Sequence, residues 1–235
     1  MKTIKGIWRF SRVICYTFVC LFQAYTRFKR VDRKEKGRML RYYPTQVLKL
    51  AGVRCSYEGN VPELLHECGL TDTPPAYMVL SNHISWLDIF SLDSQLPSRF
   101  IAKAEIAKWP VFGLIAQQIG TLFINRSSKR AILRINDDIR GALCNCEAVT
   151  IFAEGTTTFG NELLPIKANF IAPACEIGAT VQPVILSYKN KGKPTKRAAF
   201  AGDVTLFGSL WNVVTMEDAE VVVHFLEPIT NAKDL

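Results

Sequence analysis

Between residues 76 and 226 short apolar runs alternate with longer segments whose apolar side chains recur every three or four positions. Residues 76–80, 99–102, 121–124, 148–152, 180–188 and 220–226 read as strands, and 86–95, 106–119 and 128–143 as helices. In the third helix Ile132, Ile135, Ile139 and Leu143 fall on one stripe, while Arg134, Asp137, Asp138 and Arg140 lie elsewhere. Such a stripe packs on a sheet. Strand alternating with helix predicts an α/β fold, a single domain with a mostly parallel or mixed central sheet flanked by helices. Its sites should lie at the carboxyl ends of strands. Pro183 interrupts the strand at 180–188 and predicts an edge or bulged position, because proline donates nothing to a ladder. Residues 189–194 (KNKGKP) read as an exposed loop.

The first forty residues follow a different pattern. Residues 13–26 are an uncharged run of fourteen, with Arg12 before it and Arg27 after it. As a helix this run reaches about 21 Å, short of the roughly 30 Å hydrocarbon core, so it is expected to dip into one leaflet and not to span. Lys2 and Lys5 could begin a signal peptide, but no small-x-small cleavage site follows and the next segment is densely cationic. Aromatic residues (Trp8, Phe10, Tyr16, Phe18, Phe22, Tyr25, Phe28) stand among the cations, as at a membrane interface.

Composition sharpens this division. With 235 residues, 49% of them hydrophobic, the chain can bury a core, which excludes intrinsic disorder. The net charge of +8 is concentrated: residues 1–41 carry twelve basic and two acidic side chains, leaving seventeen and nineteen in the rest. A basic apolar segment (1–43) thus precedes a nearly neutral domain (44–235), and its expected partner is a polyanion. An anionic membrane surface fits the apolar run, whereas nucleic acid does not. Positive charge on both flanks predicts attachment to the cytoplasmic face of the cell inner membrane, by a monotopic or single short segment. The seven cysteines are odd in number and scattered, without a C-x-x-C pair, as in reduced cytosolic proteins. Cys144 and Cys146 lack further ligands at suitable spacing, so no metal site is expected.

Candidate chemistry begins after the strand at 76–80, at Asn82-His83-Ile84-Ser85-Trp86-Leu87-Asp88. A histidine can act as general base when a carboxylate fixes its tautomer. On one continuous helix a five-residue separation would turn the two side chains about 140° apart. They meet only if His83 lies in a loop and Asp88 in the first turn of the following helix. The bland alternative is a capping histidine with a solvated first-turn acid. Two further segments end in polar groups: residues 120–126 (GTLFINR) end in Arg126, and residues 152–158 (FAEGTTT) bring Glu154, Gly155 and Thr156. The first suits an anionic head group, the second a turn whose amides could face an anion.

In this order the blocks Asn82–Asp88, Gly120–Arg126, Phe152–Thr157 and Val181–Val184 resemble the motifs of the glycerolipid acyltransferase family. The resemblance implies that His83 is the general base and that Asp88 orients it. It also implies that Asn82, Arg126, Glu154, Gly155 and Thr156 bind the acceptor, and that Val181, Pro183 and Val184 shape an acyl-donor channel. The implied reaction moves an acyl group from acyl-CoA or acyl carrier protein to a lysolipid, with no other cofactor. The expected acceptor is 1-acylglycerol-3-phosphate. Ala153 and Thr157 depart from the family's Pro and Arg. Together with residues 154–158 (EGTTT), Gly160 and residues 164–167 (LPIK), Thr157 resembles a branch that acylates lyso-ornithine lipid, the alternative acceptor. Arg126 and Lys167 keep cations available for a phosphate. A non-catalytic lipid-binding protein of the same fold is the alternative of a different class.

Overall fold

The computed structural model describes residues 2–61, 76–125 and 128–230. It opens with helix α1 (Lys2–Gln23), a π-helical turn (Ala24–Phe28) and helix α2 (Arg33–Ala51). Asp32 caps α2, its carboxylate accepting from the Glu35 amide at 2.8 Å, and Gly52 ends it in the left-handed conformation (φ 75°). The run at 13–26 is thus the second half of a longer amphipathic helix together with the start of the π-helical turn. The expected junction at residues 43 and 44 falls inside α2, where Val47, Leu48 and Ala51 are buried. Arg9 ties α1 to the body, donating through Nη1 to the Val214 and Met216 carbonyls at 3.2 and 2.9 Å. Among the described residues no helix is long and apolar enough to cross a membrane.

The remaining elements are β1 (Val53–Gly59), β2 (Tyr77–Ser81), α3 (Leu87–Asp93), β3 (Arg99–Lys103), α4 (Phe112–Gln118), β4 (Leu122–Ile124), α5 (Lys129–Cys144), β5 (Val149–Phe152), α6 (Ala172–Ile177), β6 (Thr180–Asn190), β7 (Lys193–Pro194), α7 (Leu206–Val214) and β8 (Ala219–Phe225). The sheet order is β1-β8-β6-β2-β5-β3-β4, with β7 pairing to β6. Strands β6, β2, β5, β3 and β4 run parallel; β8 is antiparallel to β6, and β1 parallel to β8. The fold is therefore the expected mixed α/β arrangement. On one face Tyr77, Val79, Val184, Leu186 and Val223 pack with side chains of α1, α2, α3 and α7. On the other, Met78, Val149, Ile151 and Val181 pack against Ile135, Ile139 and Leu143 of α5, the stripe read from the sequence.

Three local expectations are corrected. The segment at 106–119 is a 3-10 turn (Ala104–Lys108) followed by α4. Pro110 forces Trp109 into an extended conformation (φ −68°, ψ 132°) between them. Residues 189–194 form the end of a hairpin, with Lys191 and Gly192 at positive φ joining β6 to β7. Strand β6 is not an edge strand, since it lies between β2 and β8. Pro183 is tolerated because it sits just beyond the β6–β8 ladder, whose last pair is Val184 and Phe225. There the Pro183 carbonyl accepts from the Leu226 amide at 3.0 Å. The Leu226 carbonyl, which an amide at 183 would have served, accepts instead from Gln182 Nε2 at 2.7 Å.

Candidate active site

The site is built at the carboxyl ends of β2 and β5, neighbours in the sheet. After Ser81 the chain leaves β2, loops through residues 82–86 and enters α3, so Asp88 is the second residue of a helix and His83 lies in the loop. This is the geometry that lets a five-residue spacing close. His83 Nδ1 is 2.7 Å from Asp88 Oδ2, which also accepts from the Ile84 and Ser85 amides at 2.7 and 2.8 Å. Asp88 is fully buried, whereas the His83 side chain is 19% exposed. A carboxylate facing Nδ1 places the proton there and leaves Nε2 as the basic nitrogen.

The ring of His83 is fixed on its other side too. It stacks on Phe152 with centroids 3.8 Å apart and planes 8° from parallel. The backbone of His83 is held by the loop after β5. Its amide donates to Glu154 Oε1 at 3.0 Å, and its carbonyl accepts from the Thr158 amide at 2.8 Å. The other oxygen of Glu154 accepts from the Leu164 amide at 3.1 Å, so this buried carboxylate joins two loops. Gly155 has φ 71°, which only glycine adopts cheaply, and its amide closes a turn onto the Phe152 carbonyl at 2.9 Å. Thr156 is exposed beside it. Thr157, at the position of the family's Arg, donates to the Phe200 carbonyl at 2.5 Å.

Asn82 makes a two-way bridge to β6: Nδ2 donates to the Leu186 carbonyl at 3.0 Å and Oδ1 accepts from the Leu186 amide at 2.7 Å. Val181 and Val184 are buried on opposite faces of β6, and Val181 aligns with Met78 at the opposite end of β2 from His83. Arg126 lies outside the described residues. Lys167 is exposed, and its amide donates to the Ala153 carbonyl at 3.1 Å. Among the described residues no group of three or more His, Cys, Asp or Glu side chains is placed to hold a metal ion.

Sequence reasoning did not single out Tyr188, Phe152 or an apolar cleft beside Trp86. The Tyr188 hydroxyl, from the far end of β6, donates to Asp88 Oδ1 at 2.5 Å. Only the alternation of buried residues Val184, Leu186 and Tyr188 could have hinted that this tyrosine faces the α3 side. The cleft is lined by Val13 and Thr17 of α1, Trp86, Phe90, Phe112 and Leu210. Trp86 stands three residues from His83 and is held by a 3.1 Å bond from Nε1 to Ser209 Oγ.

Residues 55–187 match the family model described as acyltransferase. The chain is 43% identical over 154 residues to the 1-acyl-sn-glycerol-3-phosphate acyltransferase of Neisseria gonorrhoeae, an alignment covering 65% of this chain and 60% of that protein. It is 40% identical over 150 residues to the lyso-ornithine lipid O-acyltransferase of Pseudomonas aeruginosa, covering 64% of this chain and 58% of that protein. To the lyso-ornithine lipid O-acyltransferase of Brucella abortus it is 32% identical over 216 residues, covering 86% and 77%. The chain thus spans about 60% of the length of the first two of these relatives. The crystal structure of the 1-acyl-sn-glycerophosphate (LPA) acyltransferase PlsC from Thermotoga maritima superposes with a TM-score of 0.68 at 18% identity. It covers 100% of this chain and 89% of that one, a likeness of fold.

Proposed function

The chain belongs to the acyltransferase family, and from that premise we propose that it moves a fatty acyl group from an acyl thioester to the free hydroxyl of a lysolipid. The observation that carries this reading is the His83–Asp88 pair, 2.7 Å apart at the end of β2. With Nδ1–H held by Asp88, Nε2 takes the proton from the acceptor hydroxyl as its oxygen attacks the thioester carbonyl. The new C–O bond forms, the C–S bond breaks, and the imidazolium returns its proton to the departing thiolate. Asp88 stabilises the transient cation, and no covalent enzyme intermediate is required. The donor is the acyl thioester of coenzyme A or of acyl carrier protein.

Glu154 and Asn82 contribute by position. Their polar atoms hold backbone that carries His83 and β6, while Gly155 and Thr156, in the turn after β5, and Arg126 are assigned to the acceptor head. The β6 block of Val181, Pro183 and Val184 serves as framework on the acyl-donor side. The outward face of α1 exposes Ile4, Trp8, Phe18, Phe22 and the adjoining Tyr25, a stripe suited to a membrane surface where lysolipid and product reside. Its anchoring by Arg9 keeps the catalytic loop in a fixed relation to that surface.

The acceptor in this reading is 1-acylglycerol-3-phosphate, with phosphatidate as product. Thr157, uncharged and committed to the Phe200 carbonyl, favours lyso-ornithine lipid as the second reading, because one expected phosphate contact is replaced. Incubating the protein with labelled acyl-coenzyme A or acyl carrier protein and each lysolipid tests the pair. Phosphatidate formation supports the first, acylated ornithine lipid the second, and no product with either acceptor and either donor refutes both.

A further inference from the structure

We propose that Tyr188 is a positioning residue for this reaction, holding the second oxygen of Asp88 so that the carboxylate orients His83 without over-stabilising its protonated form. The inference rests on the acyl-transfer reading above and adds a third group to the pair. Asp88 Oδ2 already serves three donors: His83 Nδ1 and the amides of Ile84 and Ser85. Oδ1 receives the Tyr188 hydroxyl, brought one hundred residues along the chain by the parallel pairing of β6 with β2. Both side chains are buried, so no water competes for this oxygen.

The physical consequence is electrostatic. Each hydrogen bond donated to a buried carboxylate withdraws charge from it and weakens its pull on the remaining partners. Without the phenol, the charge on Asp88 would fall more heavily on the Nδ1 proton of His83, and the imidazolium would gain stability. A base protonated at working pH cannot accept the acceptor's proton. Tyr188 itself stays a neutral donor, because burial first and the adjacent Asp88 second hold its hydroxyl well above the ordinary tyrosine range. The groups that face the cluster are few. Glu154, from the loop after β5, contacts the His83 amide, and the Ser85 hydroxyl and the Cys55 thiol of β1 lie near Tyr188, the thiol kept protonated by burial. Removing the hydroxyl deletes one donor to Asp88 and adds no charge to the cluster.

Tyr188→Phe keeps the ring and deletes the donor. In the full-length protein the imidazole proton resonances of His83, assigned by their loss in His83→Gln, are titrated by NMR. The expected result is a rise of about half a pH unit or more in the His83 midpoint. The acidic limb of kcat/KM should move upward with it, while acceptor KM does not follow. Incorporating 3,5-difluorotyrosine at 188, a stronger donor, should move the midpoint down, and this variant serves where Tyr188→Phe fails to fold. In an Asp88→Asn background the shift should vanish. An unmoved midpoint with an unmoved limb would reduce Tyr188 to core packing. Complete absence of acyl transfer in the parent protein would defeat the acyl-transfer reading, and the titration would still judge the Tyr188–Asp88–His83 coupling.

Discussion

Replacing Glu154 by Gln asks whether this residue holds the catalytic loop or reads the substrate. The carboxylate is buried, and its two oxygens accept from the His83 amide at 3.0 Å and the Leu164 amide at 3.1 Å. Glutamine offers one oxygen and one NH2, so one of those amides must face another donor. A hydrogen bond to a charged group is worth about 1.5–3 kcal/mol, and leaving a buried donor unpaired costs about 1–3 kcal/mol. These overlap in describing the same lost contact, so the net expectation is roughly 2–3 kcal/mol. For a chain of this size that corresponds to a fall in Tm of about 5–10 °C. Because the His83 amide is one of the two that Glu154 holds, the ring should shift on Phe152, and kcat should drop tenfold or more, since an error of about 1 Å can cost 10² in rate. Thermal unfolding by circular dichroism and steady-state kinetics with varied acceptor measure the two effects. A variant with the parent Tm and a selectively raised acceptor KM would refute this reasoning and make Glu154 a head-group ligand.

Other parts of the structure give equally direct expectations. Asp93 is buried at the end of α3, and desolvation holds its carboxyl well above the ordinary range despite a 3.1 Å bond from the Ser98 amide. A raised folded pKa means that the native state binds the extra proton. The stabilisation is therefore full below about pH 4 and is lost as pH rises, by at most about 1.4 kcal/mol per unit. Asp93→Asn should accordingly flatten the pH dependence of Tm and raise Tm at pH 8, and an unchanged slope would contradict it. At Gly160, φ is 73° and an added Cβ would lie 2.6 Å from Ile84 Cδ1, so Gly160→Ala should lower Tm and turnover together by disturbing the residue after His83. Wild-type values for both would show that the loop yields freely. Changing Trp8, Phe18 and Phe22 to Ser should weaken sedimentation with anionic vesicles at high salt, where electrostatic attraction is screened, while leaving Tm little altered because these rings are exposed. Undiminished sedimentation would remove α1 from the membrane contact.

How much was legible in the sequence depended on how local each feature is. The His83–Asp88 geometry could be read because strand, loop and first helical turn follow within a dozen residues. The α5 stripe was equally plain, because helical periodicity alone decides it. Tyr188 was not, since its meeting with Asp88 is set by the register of β6 against β2 and has no local signature. The same non-local pairing hid the central place of β6, because the usual proline rule assumes an amide that the Gln182 side chain here replaces. At the amino end the absence of charge drew attention to residues 13–26, yet the helix continues back to Lys2 as an amphipathic one. Strand β1 was passed over because it mixes polar residues at half-buried positions, and α7 because it is only nine residues long and carries Gly208, Ser209 and Asn212 among its apolar side chains.

The central claim is that Nε2 of His83, oriented by Asp88, removes the proton from a lysolipid hydroxyl as it attacks an acyl thioester. The most direct test is acyl transfer from labelled acyl thioester to 1-acylglycerol-3-phosphate and to lyso-ornithine lipid by the parent protein and by His83→Ala, with vesicles present. The expected result is product with one of these acceptors in the parent, a loss of about 10² to 10⁴ or more in turnover for the variant, and an unaltered fold by circular dichroism. A folded His83→Ala protein that turns over at the parent's rate would contradict the account.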